Sequence, residues 1–289
     1  MTFSTTTATE AVVLQAARRL EDASRTGEVC APVRELIGES DLAAAYAVQQ
    51  TLAARRSAAG ARVVGRKIGL TSPAVQRQLG VDQPDFGVLF DDMDVSGISA
   101  VPAGTLLQPR VEAEIAFVLG ADLDSGDVDG GDLDVATVRA AVDHAVAAIE
   151  IVDSRIADWD IRITDTIADN GSSGLFVLGD TRVPLADLEP AAATMRMYAD
   201  DLLVSEGNGA ACLGDPINAL LWLARTAQQV GDPLRAGQVV LSGALGPMHS
   251  VTGGTTIRTE ISGLGTVGVT FAAAPTHSND PRHNDPKDL

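Results

Sequence analysis

Two glutamates lie one residue apart in the stretch PRVEAEIAFVLG, whose other residues have the composition of a buried strand. Side chains alternate between the two faces of a strand, so Glu112 and Glu114 share one face, roughly 7 Å apart. A third glutamate, Glu150, lies between two isoleucines in AAIEIVDSR. Carboxylates on one patch repel each other and are costly to bury without a partner. The pattern therefore indicates either a solvent-exposed face or a cation, and Mg²⁺ or Mn²⁺ would suit such oxygen ligands.

Further polar residues in apolar or glycine-containing segments could supply acid–base chemistry. Lys67 lies in VVGRKIGL, where a half-buried lysine could transfer protons or bind a carboxylate, or could instead extend to the surface. Asp85 lies in DQPDFG, which we expect to be a loop of the kind that often carries functional groups. The stretch ADNGSSG precedes a strand, and its backbone amides, Asn170 and Ser172 could bind an anion or form a plain turn.

The composition limits the classes of protein that fit. The chain has 289 residues and a formal net charge of −18, from 39 acidic and 21 basic side chains. This charge argues against nucleic acid and anionic membranes as partners. A small anionic substrate remains compatible, because the local charge of a cleft determines which small molecules bind there. Cys30 and Cys212 fit neither a disulfide framework nor a zinc site. We see no signal peptide and no apolar run near the ~18 residues of a membrane span, so we expect a cytoplasmic protein.

Helical periodicity is concentrated near the N-terminus, and short strand-like segments separated by glycine follow from residue 62. Helices are predicted over 8–25 and 41–58, in SPAVQRQLG, in DPINALLWLARTAQQVG, and at the beginning of DVATVRAAVDHAVAAIE, which would place His144 on a helix. Strands are predicted over 62–70, 111–119, 149–154, 174–179, 238–245, 255–261 and 266–271. MRMYADDLLVSEG predicts a hairpin that turns near Asp200 and Asp201.

The order of these elements favours an α+β fold. Strands outnumber helices and do not alternate with them regularly, which disfavours a doubly wound parallel sheet. We expect a helical N-terminal region (1–61), a catalytic domain (62–273) and a disordered tail (274–289). The acidic, glycine-rich segment 120–134 lacks the spacing of an EF-hand calcium loop, so we interpret it as a solvent-exposed surface loop.

Four long motifs resemble the 2-keto-4-pentenoate hydratases of the fumarylacetoacetate hydrolase superfamily. They are GRKIGLTSPAVQRQLGVDQPDFGVLF, LLQPRVEAEIAFVL, AIEIVDSRIADWDIRITDTIADNGSSG and VVLSGALGPM. The resemblance runs in the same order from about residue 10 to residue 272, although segment 120–134 is longer than usual. It implies a mixed β-sheet roll that follows a helical N-terminal segment, and a homo-oligomer.

The resemblance also implies roles for the residues singled out above. Glu112, Glu114 and Glu150 would bind a divalent metal, Mg²⁺ or Mn²⁺, with no organic cofactor. Lys67 and Asp85 would lie in the active site, and Ser172 would contact the substrate. The expected reaction is addition of water to 2-hydroxypenta-2,4-dienoate or a close homologue, in aromatic or steroid ring breakdown. A further expected partner is the aldolase that would act next.

Three other functions remain open at this point. A 4-oxalocrotonate decarboxylase would have a similar metal site, although GRKIGLT and QPDFG resemble the hydratase versions more closely. A carbon–carbon bond hydrolase of the wider superfamily would be expected to show a His–Glu arrangement that activates water, and the sequence shows none. A calcium-stabilised binding protein built on segment 120–134 would leave Lys67 unexplained.

Overall fold

The computed structural model describes residues 8–72, 76, 83–124 and 133–274, and its N-terminal part is helical. Its first helices are α1 (Glu10–Thr26), α2 (Arg34–Ile37) and α3 (Leu42–Ala58). The Asp41 carboxylate caps α3 by accepting a hydrogen bond from the Ala44 amide at 2.9 Å. The helices predicted over 8–25 and 41–58 are confirmed.

The remaining helices and strands follow in chain order. The strands are β1 (Val63–Gly69), β2 (Asp85–Phe90), β3 (Pro109–Leu119), β4 (Val142–Asp153), β5 (Ser173–Leu178), β6 (Thr194–Ala199), β7 (Leu202–Asn208), β8 (Val239–Leu241), β9 (His249–Ser250), β10 (Thr256–Ile261) and β11 (Gly265–Thr270). The helices among them are α4 (Val135–Ala141), α5 (Ile163–Ala168) and α6 (Pro216–Gln229). The predicted helix DPINALLWLARTAQQVG corresponds to α6, which Asp215 caps.

Two sheets form the β-structure of the described residues. The main sheet has the order β2-β1-β8-β3-β4-β5, with β9 beside β3, and the second has the order β11-β10-β6-β7. In the main sheet β1 and β8 are parallel, whereas β1–β2, β3–β8, β3–β4 and β4–β5 are antiparallel. β6 and β7 form the predicted hairpin, which turns at Asp200 and Asp201. The expected α+β fold with a mixed sheet is confirmed.

The N-terminal helices share one hydrophobic core with the main sheet, and polar contacts tie them to it. Buried residues of α1 and α3 pack in the same cluster as alternate residues of β3 and β4. Gln49 of α3 donates hydrogen bonds from Nε2 to the carbonyls of Phe86 (2.8 Å) and Ile167 (2.9 Å). Arg34 of α2 donates to the buried carboxylate of Asp165 at the start of α5. The division at residues 61 and 62 stays a prediction.

The prediction that placed His144 on a helix is wrong. α4 ends at Ala141, and His144 lies on β4 opposite Val118 of β3. Most of β4 is buried on both faces, so its apolar residues show neither helical nor strand periodicity. The long antiparallel pairing with β3 decides the conformation.

Some predictions fall wholly or partly outside the described residues. These are most of SPAVQRQLG, residues 125–132 of the acidic segment, and nearly all of the tail, from residue 275 onward. In the described part of the chain, no helix is both long and apolar enough to cross a membrane. Cys30 and Cys212 are free thiols.

Candidate metal centre and active site

The three glutamates lie together on one face of the main sheet. Glu112 of β3 pairs directly with Glu150 of β4, and Glu114 pairs with Ala148, so the three side chains share a face. One carboxylate oxygen from each glutamate lies within 4.8 Å of the others. The sequence placed Glu112 and Glu114 on one face, and the register of β3 and β4 adds Glu150 to it.

The carboxylates of this cluster have oxygens that are free to bind a cation. Glu114 Oε2 accepts a hydrogen bond from the Gly243 amide at 2.7 Å. Among the described residues, Glu114 Oε1 and both oxygens of Glu150 are buried and accept no hydrogen bond, although Glu150 Oε1 lies 3.2 Å from the Lys67 ammonium. Buried carboxylates without partners are costly unless a cation or proton compensates them. The three residues therefore fit a divalent metal, since hard cations bind carboxylate oxygens.

Burial and mutual repulsion favour protonation of this cluster in the metal-free protein. Burial raises the pKa of Glu112 to about 7, and the charge of Glu150 adds to the effect. For the same reasons the pKa of Glu114 lies well above its ordinary value. Burial also raises the pKa of Glu150, although Lys67 opposes that change. A metal that binds here would displace protons.

Lys67 is buried beside the glutamates. It points from β1 towards β4, and its Nζ lies 3.2 Å from Glu150 Oε1. The side chain is 3% exposed, so the surface lysine considered from the sequence is excluded. Burial lowers the pKa of Lys67, but the surrounding carboxylates, Glu150 first, outweigh it and raise the pKa overall. Lys67 is therefore a positive charge and a potential proton donor within the cluster.

Asp85 lies on a strand, so the predicted loop position is wrong. It is the first residue of β2 and pairs with Gly69 of β1, because strand pairing begins within DQPDFG itself. The Thr166 hydroxyl donates to Asp85 Oδ2 at 3.2 Å and lies 3.4 Å from the Ser172 hydroxyl. Burial raises the pKa of Asp85, and the charge of Lys67 opposes the rise.

The segment before β5 brings Ser172 to the site but uses Asn170 elsewhere. Asn170, Gly171 and Ser172 have positive φ angles of 57°, 64° and 53°. The Asn170 side chain accepts from the Val88 amide at 2.7 Å and donates to the Val88 carbonyl at 2.9 Å. Asn170 thus anchors the segment to β2, which favours the alternative that its side chain has a structural role.

These groups border one cavity of ≈ 430 Å³. Its polar wall includes Lys67, Asp85, Glu112 and Ser172, and its apolar wall includes Val152, Ile161 and Met248. Glu114 and Glu150 are buried and are not among the residues that line this cavity. The cavity joins the glutamate cluster to the acid–base candidates, so a small molecule could contact both.

Three of the cavity-lining residues that the sequence did not single out have side chains with a hydrogen-bonding group. They are Arg110, Trp159 and Thr166. Arg110 precedes Glu112 by two residues and so shares its face, which is a signal that the strand pattern contained. Thr166 and Trp159 lie outside the main sheet, and no local pattern indicates that they approach β2 and β3.

Comparison with known proteins decides the family. The family model described as Fumarylacetoacetate (FAA) hydrolase C-terminal matches residues 81–272. The chain is 56% identical over 268 residues to the "TodF product hydratase" of Pseudomonas putida, covering 93% of this chain and 98% of that protein. It is 52% identical over 255 residues to the 2-keto-4-pentenoate hydratase of Burkholderia vietnamiensis, covering 88% and 95%. The chain belongs to the 2-keto-4-pentenoate hydratase family.

A solved structure shows the same fold at lower sequence identity. The 4-oxalocrotonate decarboxylase from Pseudomonas putida G7, complexed with magnesium and adipate, has a TM-score of 0.86 and 31% identity to this chain. The match covers 92% of this chain and 100% of that one. The resemblance to the hydratase family and its superfamily, drawn from the four motifs, is thus confirmed. A divalent-metal site also agrees with the glutamate cluster.

Proposed function

We propose that the protein is a divalent-metal-dependent hydro-lyase that adds water to 2-hydroxypenta-2,4-dienoate or its six-carbon homologue. The product would be the corresponding 4-hydroxy-2-oxo acid. The observation that carries the proposal is the position of Lys67 and Asp85 beside the Glu112–Glu114–Glu150 cluster, in a chain whose relatives are named hydratases. This arrangement supplies a metal site and proton-transfer groups in one cavity.

The chemistry of the substrate explains why both parts are needed. The dienol is not electrophilic at C4, where water must add. Protonation at C5, with loss of the 2-hydroxyl proton, gives the isomeric 2-oxo-3-enoate, in which the ketone makes C4 electrophilic. A divalent cation, when bound, would withdraw charge from the substrate's 2-oxygen and so favour attack by water. Glu112, Glu114 and Glu150 would hold it.

The protein's own residues would transfer the protons. A general base must take a proton from water, and an acid must protonate C3. Lys67 and Asp85 are the candidates, because both are buried, charged or titratable, and border the cavity. The Thr166 hydroxyl holds Asp85 in place, and the Ser172 hydroxyl lies where it could bind the substrate. Substitutions of Lys67 can separate its acid–base role from a purely electrostatic one.

We propose Mg²⁺ or Mn²⁺ as the metal and no organic cofactor. Carboxylate oxygens suit these hard cations, and among the described residues the cluster consists of three carboxylates, with no thiolate or imidazole. The solved decarboxylase was complexed with magnesium, which supports the same choice here. A cytoplasmic location, a homo-oligomer, association with an aldolase, and a role in aromatic or steroid ring breakdown remain predictions. The net charge of −18 supports the absence of nucleic acid and membrane partners.

A 4-oxalocrotonate-type decarboxylase is the second candidate. It is favoured by the TM-score of 0.86 to the solved decarboxylase. The sequence identity is 31% to that protein but 52% to the Burkholderia hydratase, so hydration is the better supported activity. The calcium-stabilised binding protein has less support, because it leaves the buried Lys67 without a role.

Incubation with a series of substrates tests the proposal. With Mg²⁺ present, 2-hydroxypenta-2,4-dienoate should lose its dienol absorbance and give the 4-hydroxy-2-oxo acid without carbon dioxide. The six-carbon homologue and the C7 dioate should be compared at the same concentration to establish the chain length. Release of carbon dioxide from 4-oxalocrotonate, without hydration of the dienoate, would identify a decarboxylase. No reaction with any of these substrates would contradict both assignments.

A further inference from the structure

Arg110 lies at the mouth of the cavity, next to the glutamate cluster along β3. It pairs with Val152 of β4. On this face of the sheet, that pair is next to the pair of Glu112 and Glu150. Successive residues on one face are roughly 7 Å apart, so a long arginine side chain can reach a molecule bound at the cluster. The structure thus places a guanidinium beside the proposed metal site.

Neutral groups hold this guanidinium in place. Its Cζ lies 4.3 Å from the centre of the Trp159 ring, and Nη1 lies 3.4 Å from Met248 Sδ. The Trp159 indole N–H donates to the Gln108 carbonyl at 3.1 Å, which fixes the ring beneath the arginine. Such cation–π contact orients the guanidinium without neutralising it, and the charge of Arg110 also acts on Glu112, whose pKa it lowers.

The charge of Arg110 is therefore available to a ligand. Within the described residues, no carboxylate lies within 4.0 Å of the Arg110 nitrogens, whereas Arg34 and Arg155 each pair with a buried aspartate. A second cavity of ≈ 450 Å³ contains Arg55, Arg56 and Arg155, but each of these already pairs with a carboxylate. Arg110 differs from them in lining a cavity without such a partner.

The charge balance of the site calls for such a cation. The three negative charges of ionised glutamates exceed the two positive charges of a divalent metal by one. The charges of Lys67 and Asp85 cancel each other. A 2-oxo acid brings one more negative charge into a partly dehydrated cavity, where uncompensated charge is costly. A guanidinium offers paired N–H donors that match a carboxylate.

Position decides which end of the substrate Arg110 would meet. Lys67 and Asp85 come from β1 and β2, to one side of the cluster, whereas Arg110 lies further along β3 itself. If the reacting carbons lie beside Lys67 and Asp85, the carboxylate is the end directed towards Arg110. Resting on the proposed function, we propose that Arg110 binds the C1 carboxylate of the 2-oxo acid substrate, with Trp159 as the residue that positions it.

Substitution of Arg110 tests this role with two readouts. In Arg110→Gln, the KM for 2-hydroxypenta-2,4-dienoate should rise about tenfold or more, because a charge-assisted hydrogen bond is lost. The dissociation constant of pyruvate, measured calorimetrically with Mg²⁺ present, should rise by a similar factor. The affinity for Mg²⁺ alone should not fall. Arg110→Lys should recover part of the loss, and Trp159→Leu should raise KM less than Arg110→Gln.

A matched variant controls for loss of a cation–π pair as such. Arg258 lies over Tyr198 at 4.2 Å, away from the cavity, so Arg258→Gln should leave KM and pyruvate binding unchanged. An unchanged KM and pyruvate affinity in Arg110→Gln would overturn the inference, as would a loss confined to substrates with a second carboxylate. If the parent protein hydrates no dienoate, the proposed function fails, while pyruvate binding still reports on Arg110.

Discussion

Asp85 Oδ1 occupies the space that a side chain on Gly69 would need. The two residues are paired on β2 and β1, and a Cβ atom added to Gly69 would overlap the Asp85 carboxylate and lie 3.4 Å from Lys67 Nζ. The absence of a side chain at residue 69 thus allows the two acid–base candidates to approach the cavity together.

We expect Gly69→Ala to displace the Asp85 carboxylate and to lower kcat by roughly 10²-fold, the scale of lost general acid–base catalysis. Metal affinity should change little, because no glutamate of the cluster is among the three atoms nearest to the added methyl. Gly97→Ala is the matched control, since nothing lies within 4 Å of a Cβ there. Steady-state kinetics and metal titration of both variants check this prediction, which parental kcat in Gly69→Ala would contradict.

Substitution of Lys67 separates proton transfer from electrostatics. Lys67→Met keeps the apolar stem but removes both charge and proton, whereas Lys67→Arg keeps the charge on a far less acidic group. We expect kcat to fall by roughly 10²-fold or more in both variants, as the proposed proton transfer by the lysine predicts. Recovery of most of the activity in Lys67→Arg would instead show an electrostatic role.

Lys67→Met should also destabilise the metal-free protein. It removes the ion-pair partner of Glu150, whose side chain is 1% exposed. Removing one partner of a buried pair costs about 3–5 kcal/mol of unfolding free energy. Saturating Mg²⁺ should reduce this loss, as urea unfolding with and without the metal can show.

Glu114→Gln should lose metal affinity while the fold survives. Glutamine keeps a carbonyl oxygen that can accept from the Gly243 amide, but it removes a negative charge that the cation needs. The metal-free variant should unfold at the same or a higher urea concentration than the parent, because repulsion among the carboxylates falls. Calorimetric titration with Mg²⁺ and Mn²⁺ measures the affinity, and parental affinity would show that Glu114 is not a ligand.

The stability of the metal-free protein should fall as the pH rises through neutrality. The folded protein holds the Glu112 proton with a pKa of about 7, above the ordinary 4.5, so this contribution is complete below pH 4.5 and is lost towards pH 7. The unfolding free energies measured with urea at about pH 5 and about pH 8 should differ by on the order of 1 kcal/mol because of this group. This value allows for solvent screening of its partly exposed side chain.

Glu112→Gln should diminish that pH dependence, because glutamine does not titrate. Glu206→Gln, which alters an exposed carboxylate paired with Arg196, should leave it unchanged. With saturating Mg²⁺, the unfolding free energy of the parent protein should instead rise with pH, since the metal binds the ionised carboxylates. Equal pH dependence in the parent and Glu112→Gln would contradict the assignment.

Removal of the metal should abolish hydration. After chelation and dialysis, turnover of 2-hydroxypenta-2,4-dienoate should be lost, and either Mg²⁺ or Mn²⁺ should restore it, because both suit carboxylate ligands. Circular dichroism before and after chelation would show that the fold persists. Full turnover by metal-free protein would contradict a catalytic role for the glutamate cluster.

Much of the metal centre was predictable from local patterns. The alternation of apolar residues with Glu112 and Glu114 specifies a face of β3, because the period of a strand is two. Glu150 could be suspected from its apolar neighbours, but its place opposite Glu112 depends on the register of β3 and β4. Only pairing between distant segments sets that register.

The acid–base side of the site was less predictable. The ion pair of Lys67 with Glu150 joins residues from β1 and β4, and DQPDFG gave no sign that Asp85 begins a paired strand. Thr166 reaches Asp85 because α5 packs against β2, which is a tertiary contact without a local signature. The wrong placement of His144 has a related cause, since apolar residues buried on both faces of β4 hide its period.

The hydrogen bonds of Gln49 bear on the order in which the protein assembles. Its acceptors, the carbonyls of Phe86 and Ile167, are 37 and 118 residues away along the chain, and they follow Asp85 and Thr166 directly. During synthesis α3 therefore leaves the ribosome well before the second acceptor exists. Contacts so distant in sequence are slow to form, because loop closure must precede them. Catalytic competence should consequently appear only after the bulk of the chain has been released, even if the N-terminal helices form early.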